Sequence, residues 1–235
     1  MGHDLEVGGA QGATRLIQEG IGRVQGVVVA KRAPASRAAA RDVQGVVAMT
    51  IEAGPDELFT TRARDTDVAA IVELVNGAYR GEGSRRGWTT ETDLLDGTRT
   101  DASAVAEILA APDSAILVLR AQSGLLGCVH VEKKHDEVSY VGMLTIRPAL
   151  QASGIGRQML AAAETFARHE YGARFVEMTV IDSRVELLAW YERRGYSQTG
   201  TIVAFPSHDP RCGIPKVDGL RMLLLRKQLA PPPTR

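Results

Sequence analysis

The segment 143–160, MLTIRPALQASGIGRQML, constrains the fold more than any other part of the chain. Its first residues end an apolar, β-branched run typical of a strand, and a proline and a glycine-rich turn follow. Apolar residues then recur at helical spacing, at Ile155, Met159, Ala163 and Phe166. Because the hydrophobic period changes from strand to helix within a few residues, the segment predicts a sheet with a helix packed on it.

Strand-like runs precede this segment at 58–63, 115–121, 125–133 and 138–146. Turn residues at 122–124 and 135–136 separate the last three, which predicts an antiparallel meander. Two helical regions are expected before the meander. One follows the N-cap residues 65–67, and the other covers parts of 89–110. The first should pack one face inward, formed by Val68, Ile71, Val72, Val75 and Tyr79.

After the central segment, a strand is predicted at 174–181 and a helix from the capping box at 183–186 to Arg194. Two more strand runs follow at 199–205 and 219–229. The predicted fold class is therefore α+β (mixed α/β), with a mostly antiparallel, twisted central sheet of six to seven strands flanked by about four helices.

The chain divides into three predicted regions. Residues 1–56 are rich in Gly, Ala, Val and Arg and contain no aromatic residue before residue 57, so they bury little area and are expected to be a flexible or poorly ordered extension. A targeting or partner-binding arm is the alternative. Residues 57–229 form the folded domain, and 230–235 (APPPTR) form a tail.

Composition excludes several functional classes. Lys+Arg 28 balance Asp+Glu 28, which argues against a nucleic-acid binder, and two cysteines form neither a disulfide framework nor a four-ligand zinc site. No metal is expected. The apolar runs are too short to span a membrane, and the N-terminus lacks the pattern of a secretory signal. A cytoplasmic enzyme is the expectation.

The glycine-rich turn has the properties of an anion site. The first N–H groups of a helix have no internal partner, the helix dipole is positive there, and Gly154 and Gly156 permit close approach. Arg157 adds a charge. A pyrophosphate cradle is one interpretation, and an ordinary strand–turn–helix connection is the other. The residues match neither a Walker A loop nor a dinucleotide fingerprint.

Two motifs together carry a family resemblance. Gln151-x-x-Gly154-x-Gly156, preceded by Leu144-x-Ile146-x-Pro148, resembles the acyl-CoA signature of the GNAT superfamily of N-acetyltransferases. Downstream, Tyr191, Gly195 and Tyr196 resemble its second signature. The resemblance implies transfer of an acetyl group from acetyl-CoA to a primary amine by direct attack in a ternary complex. A non-catalytic acyl-CoA-binding regulatory module is the alternative.

The resemblance also implies residue roles. The backbone of Met143, Leu144 and Ile146 would pair with the pantetheine arm, one N–H polarising the thioester carbonyl. The pyrophosphate would bind at Gln151, Ala152, Ser153, Gly154, Ile155, Gly156 and Arg157. Tyr191 would protonate the departing thiolate, the alternative being a core tyrosine. Arg184 replaces an asparagine common in the family, and either binds a CoA phosphate or is a solvated surface charge.

The sequence identifies no clear general base. Tyr140, Glu177 and His130 lie on the predicted strands near the active site and are the candidates. The acceptor should bind between residues 80–99 and 206–218, with Trp88 for stacking and Glu91 and Asp93 as anions for a cationic amine, or as surface charges. The acceptor is expected to be a small-molecule or peptide amine, and a homodimer is a possible assembly.

Overall fold

The computed structural model describes residues 49–51, 58–207, 209 and 212–231. Most of the predicted extension 1–56 lies outside these residues, so its flexibility stays a prediction. Part of that range does join the fold. Strand β1 (Met49–Ile51) pairs antiparallel with β2 (Leu58–Arg62). The ordered sheet therefore begins earlier than residue 57.

The main sheet of the described chain contains eight strands in the order β1-β2-β4-β5-β6-β7-β10-β8. Its seven strands after β1 correspond to the seven predicted runs. Their bounds are Leu58–Arg62 (β2), Ser114–Ala121 (β4), Gly124–His135 (β5), Val138–Ile146 (β6), Phe175–Ile181 (β7), Ser197–Ala204 (β8) and Arg221–Gln228 (β10). The predicted meander of β4, β5 and β6 is confirmed.

One pair of neighbouring strands is parallel. Strands β6 and β7 run in the same direction because a helical crossover connects them. Their pairing covers only three positions, the last of which joins Tyr140 to Glu177. Beyond it, β6 continues along β5 as far as Ile146 and β7 continues along β10 as far as Ile181. The sheet therefore opens between these two strands.

The described helices are α1 (Val68–Tyr79), α2 (Gly81–Ser84), α3 (Ala102–Ala110), α4 (Ile155–Glu170) and α5 (Val185–Glu192), with 3-10 turns at Asp65–Asp67 and Pro148–Leu150. The predicted helix within 89–110 is confined to α3. Before it, a two-residue strand β3 (Leu95–Asp96) pairs with β9 (Ile214–Pro215). None of these helices is long and apolar enough to cross a membrane.

Hydrophobic cores cover both faces of the sheet. Met159, Ala163 and Phe166 of α4 pack against one face, and the predicted inner face of α1 packs against the other with α3. The sequence of strand β4 is apolar without alternation because a hydrophobic core covers the strand on each face. Its odd-numbered residues, such as Leu117, belong to the first core and its even-numbered ones, such as Ile116, to the second.

Two predicted helix starts differ from the structure. The Asp67 carboxylate accepts from the Arg64 amide at 2.8 Å and pairs with Arg120, so it is not a side-chain cap of α1. Helix α5 begins at Val185 after Arg184, with no side-chain capping bond, so the predicted capping box at 183–186 does not form. Long-range partners compete with local caps for these polar groups.

Candidate active site

A bulge in β6 lies beside the opening between β6 and β7. Between His130 and Cys128 the register with β5 shifts, so β6 contains an extra residue there. At this point Met143 has φ 50°, a left-handed conformation that is rare for a bulky residue. Its carbonyl accepts from the Thr145 hydroxyl at 3.0 Å, which supports the strained turn. The bulge bends β6 at the level where it leaves β7.

The Leu144 peptide beside the bulge is held by helix α1. The hydroxyl of Tyr79 donates to the Leu144 carbonyl oxygen at 2.7 Å. Burial, and then the Glu91 carboxylate, raise the pKa of Tyr79, so the hydroxyl keeps its proton. Sequence reasoning gave Tyr79 a packing role only. Tyr79 thus fixes the backbone of β6 next to the N–H groups that were predicted to polarise the thioester.

The turn before α4 has the geometry of an anion cradle. Ala152 and Gly154 have φ 64° and 90°, and among the described residues the N–H groups of 152–156 find no acceptor. A Cβ on Gly156 would lie 3.7 Å from Trp190 and 3.8 Å from Ile146, in ordinary van der Waals contact, whereas a Cβ on Gly154 would meet nothing within 4 Å among the described residues. Unpaired donors at the positive end of a long helix suit a pyrophosphate. Residues 152–157 therefore fit the group that the resemblance implies.

Gln151 has a different role in the structure from its neighbours. Its amide nitrogen donates to the Ile146 carbonyl at 3.0 Å and to Thr89 Oγ1 at 2.9 Å, and its oxygen accepts from the Trp88 amide at 2.9 Å. Gly87 lies beside it, and because a Cβ there would lie 2.6 Å from the Gln151 oxygen, a larger residue would displace the Gln151 amide from these bonds. Gln151 therefore fastens the loop at 87–89 to the end of β6.

Tyr191 contributes both to the core and to the opening. Its ring is 8% exposed and packs edge-on against Trp190 and Tyr196, with centroids 4.9 and 5.7 Å away. Its hydroxyl has no hydrogen bond to the described residues. Burial raises its pKa, and charge on Tyr79 or Tyr140 would raise it further, so the three tyrosines are close enough to interact electrostatically. The phenol is therefore protonated at physiological pH.

The three candidate bases occupy different environments. The Tyr140 ring lies against Gly142, and its hydroxyl is 2.7 Å from that of Thr179 across the opening. Glu177 is paired with Arg226, whose Nε donates at 2.7 Å. His130 is 2.7 Å from the Ser114 hydroxyl, and burial, followed by Lys134 and Arg99, lowers its pKa to about 4. Of the three candidates, Glu177 is held in an ion pair and His130 is a weak base. Tyr140 lies at the opening and forms no ion pair with the described residues.

Glu91 and Arg184 form a buried ion pair that sequence reasoning missed. Glu91 binds Arg80 through one oxygen and Arg184 through the other, at 3.2 Å for Arg184. All three side chains are at most 10% exposed. The prediction of Glu91 as a free anion for a cationic amine is therefore at odds with the structure, because a buried carboxylate requires its cations. Arg184 was predicted either to bind a CoA phosphate or to be a solvated surface charge. Its side chain is buried, so it is not a solvated surface charge, and its guanidinium is paired with Glu91.

The two segments expected to bind the acceptor are brought together. The β3–β9 pairing joins residues 95–96 to 214–215, and Lys216 Nζ donates to the Thr92 carbonyl at 3.1 Å. Trp88 is 37% exposed at the edge of this region, with its ring 6.1 Å from that of Trp190. Asp93 is exposed and paired with Arg85 at 3.0 Å. The loop of Trp88 thus borders both the cradle and the predicted acceptor region.

Solved structures share this fold. The ribosomal-protein-S18-alanine N-acetyltransferase from Escherichia coli aligns over 76% of this chain and 99% of its own, with TM-score 0.54 and 14% identity. A ribosomal-protein-alanine N-acetyltransferase from Brucella melitensis covers 73% and 99%, with TM-score 0.55 and 16% identity. The Salmonella typhimurium protein yncA, solved with acetyl-CoA, covers 75% and 96%, with TM-score 0.51 and 17% identity. At these identities the similarity shows the fold.

Sequence comparison identifies the family. No curated protein sequence matches the chain significantly. The family profile described as Acetyltransferase (GNAT) family matches residues 64–196, which include the strand opening, the cradle and Tyr191. The chain therefore belongs to the GNAT family of acetyltransferases and is a transferase.

Proposed function

We propose that the protein transfers the acetyl group of acetyl-CoA to a primary amine by direct attack within a ternary complex. The observation that carries the proposal is the opening between β6 and β7. The edge of β6 from Met143 to Ile146 borders it, and neither the Tyr191 hydroxyl nor the amides of 152–156 have a hydrogen-bond partner among the described residues. These groups match the carbonyl, sulfur and pyrophosphate of one acyl-CoA molecule.

The residues divide the chemistry among them. The unpaired edge of β6 from Met143 to Ile146 binds the pantetheine arm, and a backbone N–H at the bulge stabilises the negative charge that forms on the thioester oxygen. The amine nitrogen forms the new bond to the carbonyl carbon as the carbon–sulfur bond breaks. Tyr191 gives its proton to the sulfur, which prevents the thiolate from reversing the reaction.

The amine must lose a proton in the same reaction. Glu177 and Glu91 are engaged in ion pairs, and the lowered pKa of His130 makes it a weak base. We propose that the proton leaves through water at the Tyr140–Thr179 hydroxyl pair, which spans the opening. The acceptor itself, a small molecule or a peptide amine, binds between the loop of Trp88 and the segment joined to it by β3 and β9.

An acceptor screen tests the proposal. The full chain is incubated with acetyl-CoA and a panel of amines, and released CoA is followed with a thiol reagent while products are identified by mass spectrometry. Amine-dependent CoA release with a matching acetylated product is expected. A reaction without amine controls for hydrolysis. If calorimetry shows tight acetyl-CoA binding and no amine accelerates CoA release, the protein is an acyl-CoA-binding module and the proposal is wrong.

A further inference from the structure

We propose that the acceptor amine carries an anionic group, a carboxylate or phosphonate, and that the arginine cluster formed by Arg80, Arg99 and Arg184 binds it. The inference rests on the proposed function and specifies its substrate class. It excludes polycationic amines as preferred acceptors. Arg80 and Arg99 were not singled out by the sequence, where arginines in loops are normally solvated.

The cluster contains more positive charge than its ion pairs with described residues neutralise. Arginine is always protonated in proteins, so the three side chains bring three charges. Glu91 neutralises Arg80 and Arg184 jointly. Burial lowers the pKa of Arg99, but nearby groups, of which the Glu91 carboxylate has the largest effect, raise it above its ordinary value. A single carboxylate thus serves three guanidinium groups.

Arg80 also has unused donors. Its residue is 8% exposed, and neither its Nε nor its Nη2 has a partner among the described residues. Buried donors of a charged group are normally satisfied, so such orphans mark a place where a ligand completes the network. Gly213, with φ 101°, brings the acceptor-side segment directly over this guanidinium, since a Cβ there would lie 2.8 Å from Nη2. The Nη2 donor of Arg80 therefore lies against the segment predicted to bind the acceptor.

The cluster is connected to the reacting centre through Tyr79. The Arg99 guanidinium lies 5.7 Å from the centre of the Tyr79 ring, and the Tyr79 hydroxyl holds the Leu144 carbonyl at 2.7 Å. Burial raises the pKa values of Tyr79 and Tyr191, and the positive charge of Arg184 lowers both, so Arg184 lies near both hydroxyl groups. An anion in the cluster would therefore place an attached amine beside the opening, on the side of α1.

The phosphates of CoA have other cations. Arg157 lies at the cradle. Burial lowers the pKa of the nearby Arg194, and the positive charges of Arg193 and Arg157 lower it further. The Arg194 guanidinium stacks on Trp190, 3.5 Å from the ring centre, and Trp190 borders Gly156. This second basic group flanks the helix terminus where the pyrophosphate is proposed to bind. The arginine cluster around Glu91 is thus available to the acceptor.

A cationic site also suits the chemistry of an amine that brings its own negative charge. Nearby positive charge lowers the pKa of an ammonium group and so raises the fraction of neutral, nucleophilic amine. The same charge repels an amine that has no anion to offset it. A carboxylate close to the amine forms paired hydrogen bonds with guanidinium groups, as in an amino acid. The site thereby selects anionic acceptors and activates them without a carboxylate base.

Matched pairs of amines test the inference in the full chain. L-Methionine is compared with L-methioninamide, L-phenylalanine with its amide, and 2-aminoethylphosphonate with ethanolamine. We expect kcat/KM to be roughly tenfold or more higher for the anionic member, as charged hydrogen bonds normally provide. Arg99→Gln should raise KM for the anionic member by a similar factor and should not raise KM for its neutral counterpart, because removing the charge also removes repulsion of an amine that has no anion. This substitution leaves the Glu91 pairs intact.

Arg174→Gln is the matched control, because Arg174 is 61% exposed in its side chain and pairs with Glu137 away from the site. Binding of each amine to the protein saturated with CoA is measured by calorimetry in parallel. Equal or better kcat/KM for the neutral amines, or failure of every anionic amine to bind, overturns the inference. If the anionic amines bind but release no CoA, the inference stands and the proposed function fails.

Discussion

The hydroxyl of Tyr191 can be separated from its ring by a single substitution. Tyr191→Phe keeps the edge-on contacts with Trp190 and Tyr196 and removes only the proton donor. Because general acids contribute about 10²- to 10⁴-fold, kcat should fall by that order while acetyl-CoA affinity is unchanged. The deficit should shrink at high pH, where the thiolate leaves unprotonated. Steady-state kinetics across pH and calorimetry measure both quantities.

Tyr196→Phe is the control for this experiment. Its hydroxyl lies in the same aromatic group but donates to Glu164 at 3.0 Å, which Lys227 also contacts. Losing that bond should cost about 1 kcal/mol of unfolding free energy and leave kcat near normal. Near-normal turnover of Tyr191→Phe over the whole pH range would remove Tyr191 from the mechanism and leave it a core tyrosine.

At the scale of a single element, the N-terminus of α4 is the part of the cofactor site most open to test. Gly156→Asp adds a negative charge where the pyrophosphate is proposed to bind. Acetyl-CoA affinity should fall roughly ten- to a hundredfold, as repulsion between close surface charges predicts. The helix itself should tolerate the change, because acidic residues are favourable in a first turn and the added Cβ meets nothing closer than 3.7 Å.

Gly156→Asn is the uncharged counterpart of nearly identical shape. Calorimetry should show a much smaller loss of acetyl-CoA affinity for Asn than for Asp, with similar melting temperatures for both. An unchanged affinity in Gly156→Asp would show that the helix terminus holds no pyrophosphate. Equal losses in the two variants would mean that volume, and not charge, decides binding there.

At the scale of the whole molecule, buried His130 should make stability depend on pH. Burial lowers its pKa from 6.5 to about 4 in the folded state, so the unfolded chain binds more protons between these values. The folded state should therefore lose up to about 3 kcal/mol as pH falls from 6.5 towards 4. Urea unfolding at several pH values measures this loss. His130→Gln should flatten the dependence, and an unchanged slope in that variant would contradict the assignment.

The extent of the folded unit is a second property of the whole molecule. A chain that begins at Met49 keeps β1, which pairs with β2 at the sheet edge, and removes a segment without aromatic residues. It should fold and bind acetyl-CoA as the full chain does, by thermal unfolding and calorimetry. A chain that begins at Leu58 exposes the edge of β2 and should melt at a lower temperature. Aggregation or weaker binding of the Met49 chain would place residues 1–48 within the domain.

Local signals in the sequence were enough to predict most strands and helices and the glycine-rich helix terminus. Apolar periodicity predicted the seven strands after β1 and the inner face of α1. Gly154 and Gly156 marked the helix terminus that the structure leaves with unpaired amides. These features depend on residues close together in the chain, so their meaning does not require the fold.

The partners of the polar side chains were decided only by the tertiary structure. Arg184 meets Glu91 across 93 positions of sequence, Gln151 meets the loop of Trp88, and the Met143 bulge appears only in pairing with β5. A charge or an amide carries no periodicity, and its energy depends on burial and on which opposite group the sheet brings near it. The sequence by itself therefore determined where acetyl-CoA chemistry is expected. The packing of distant loops decided which charges face the region that is proposed to bind the acceptor.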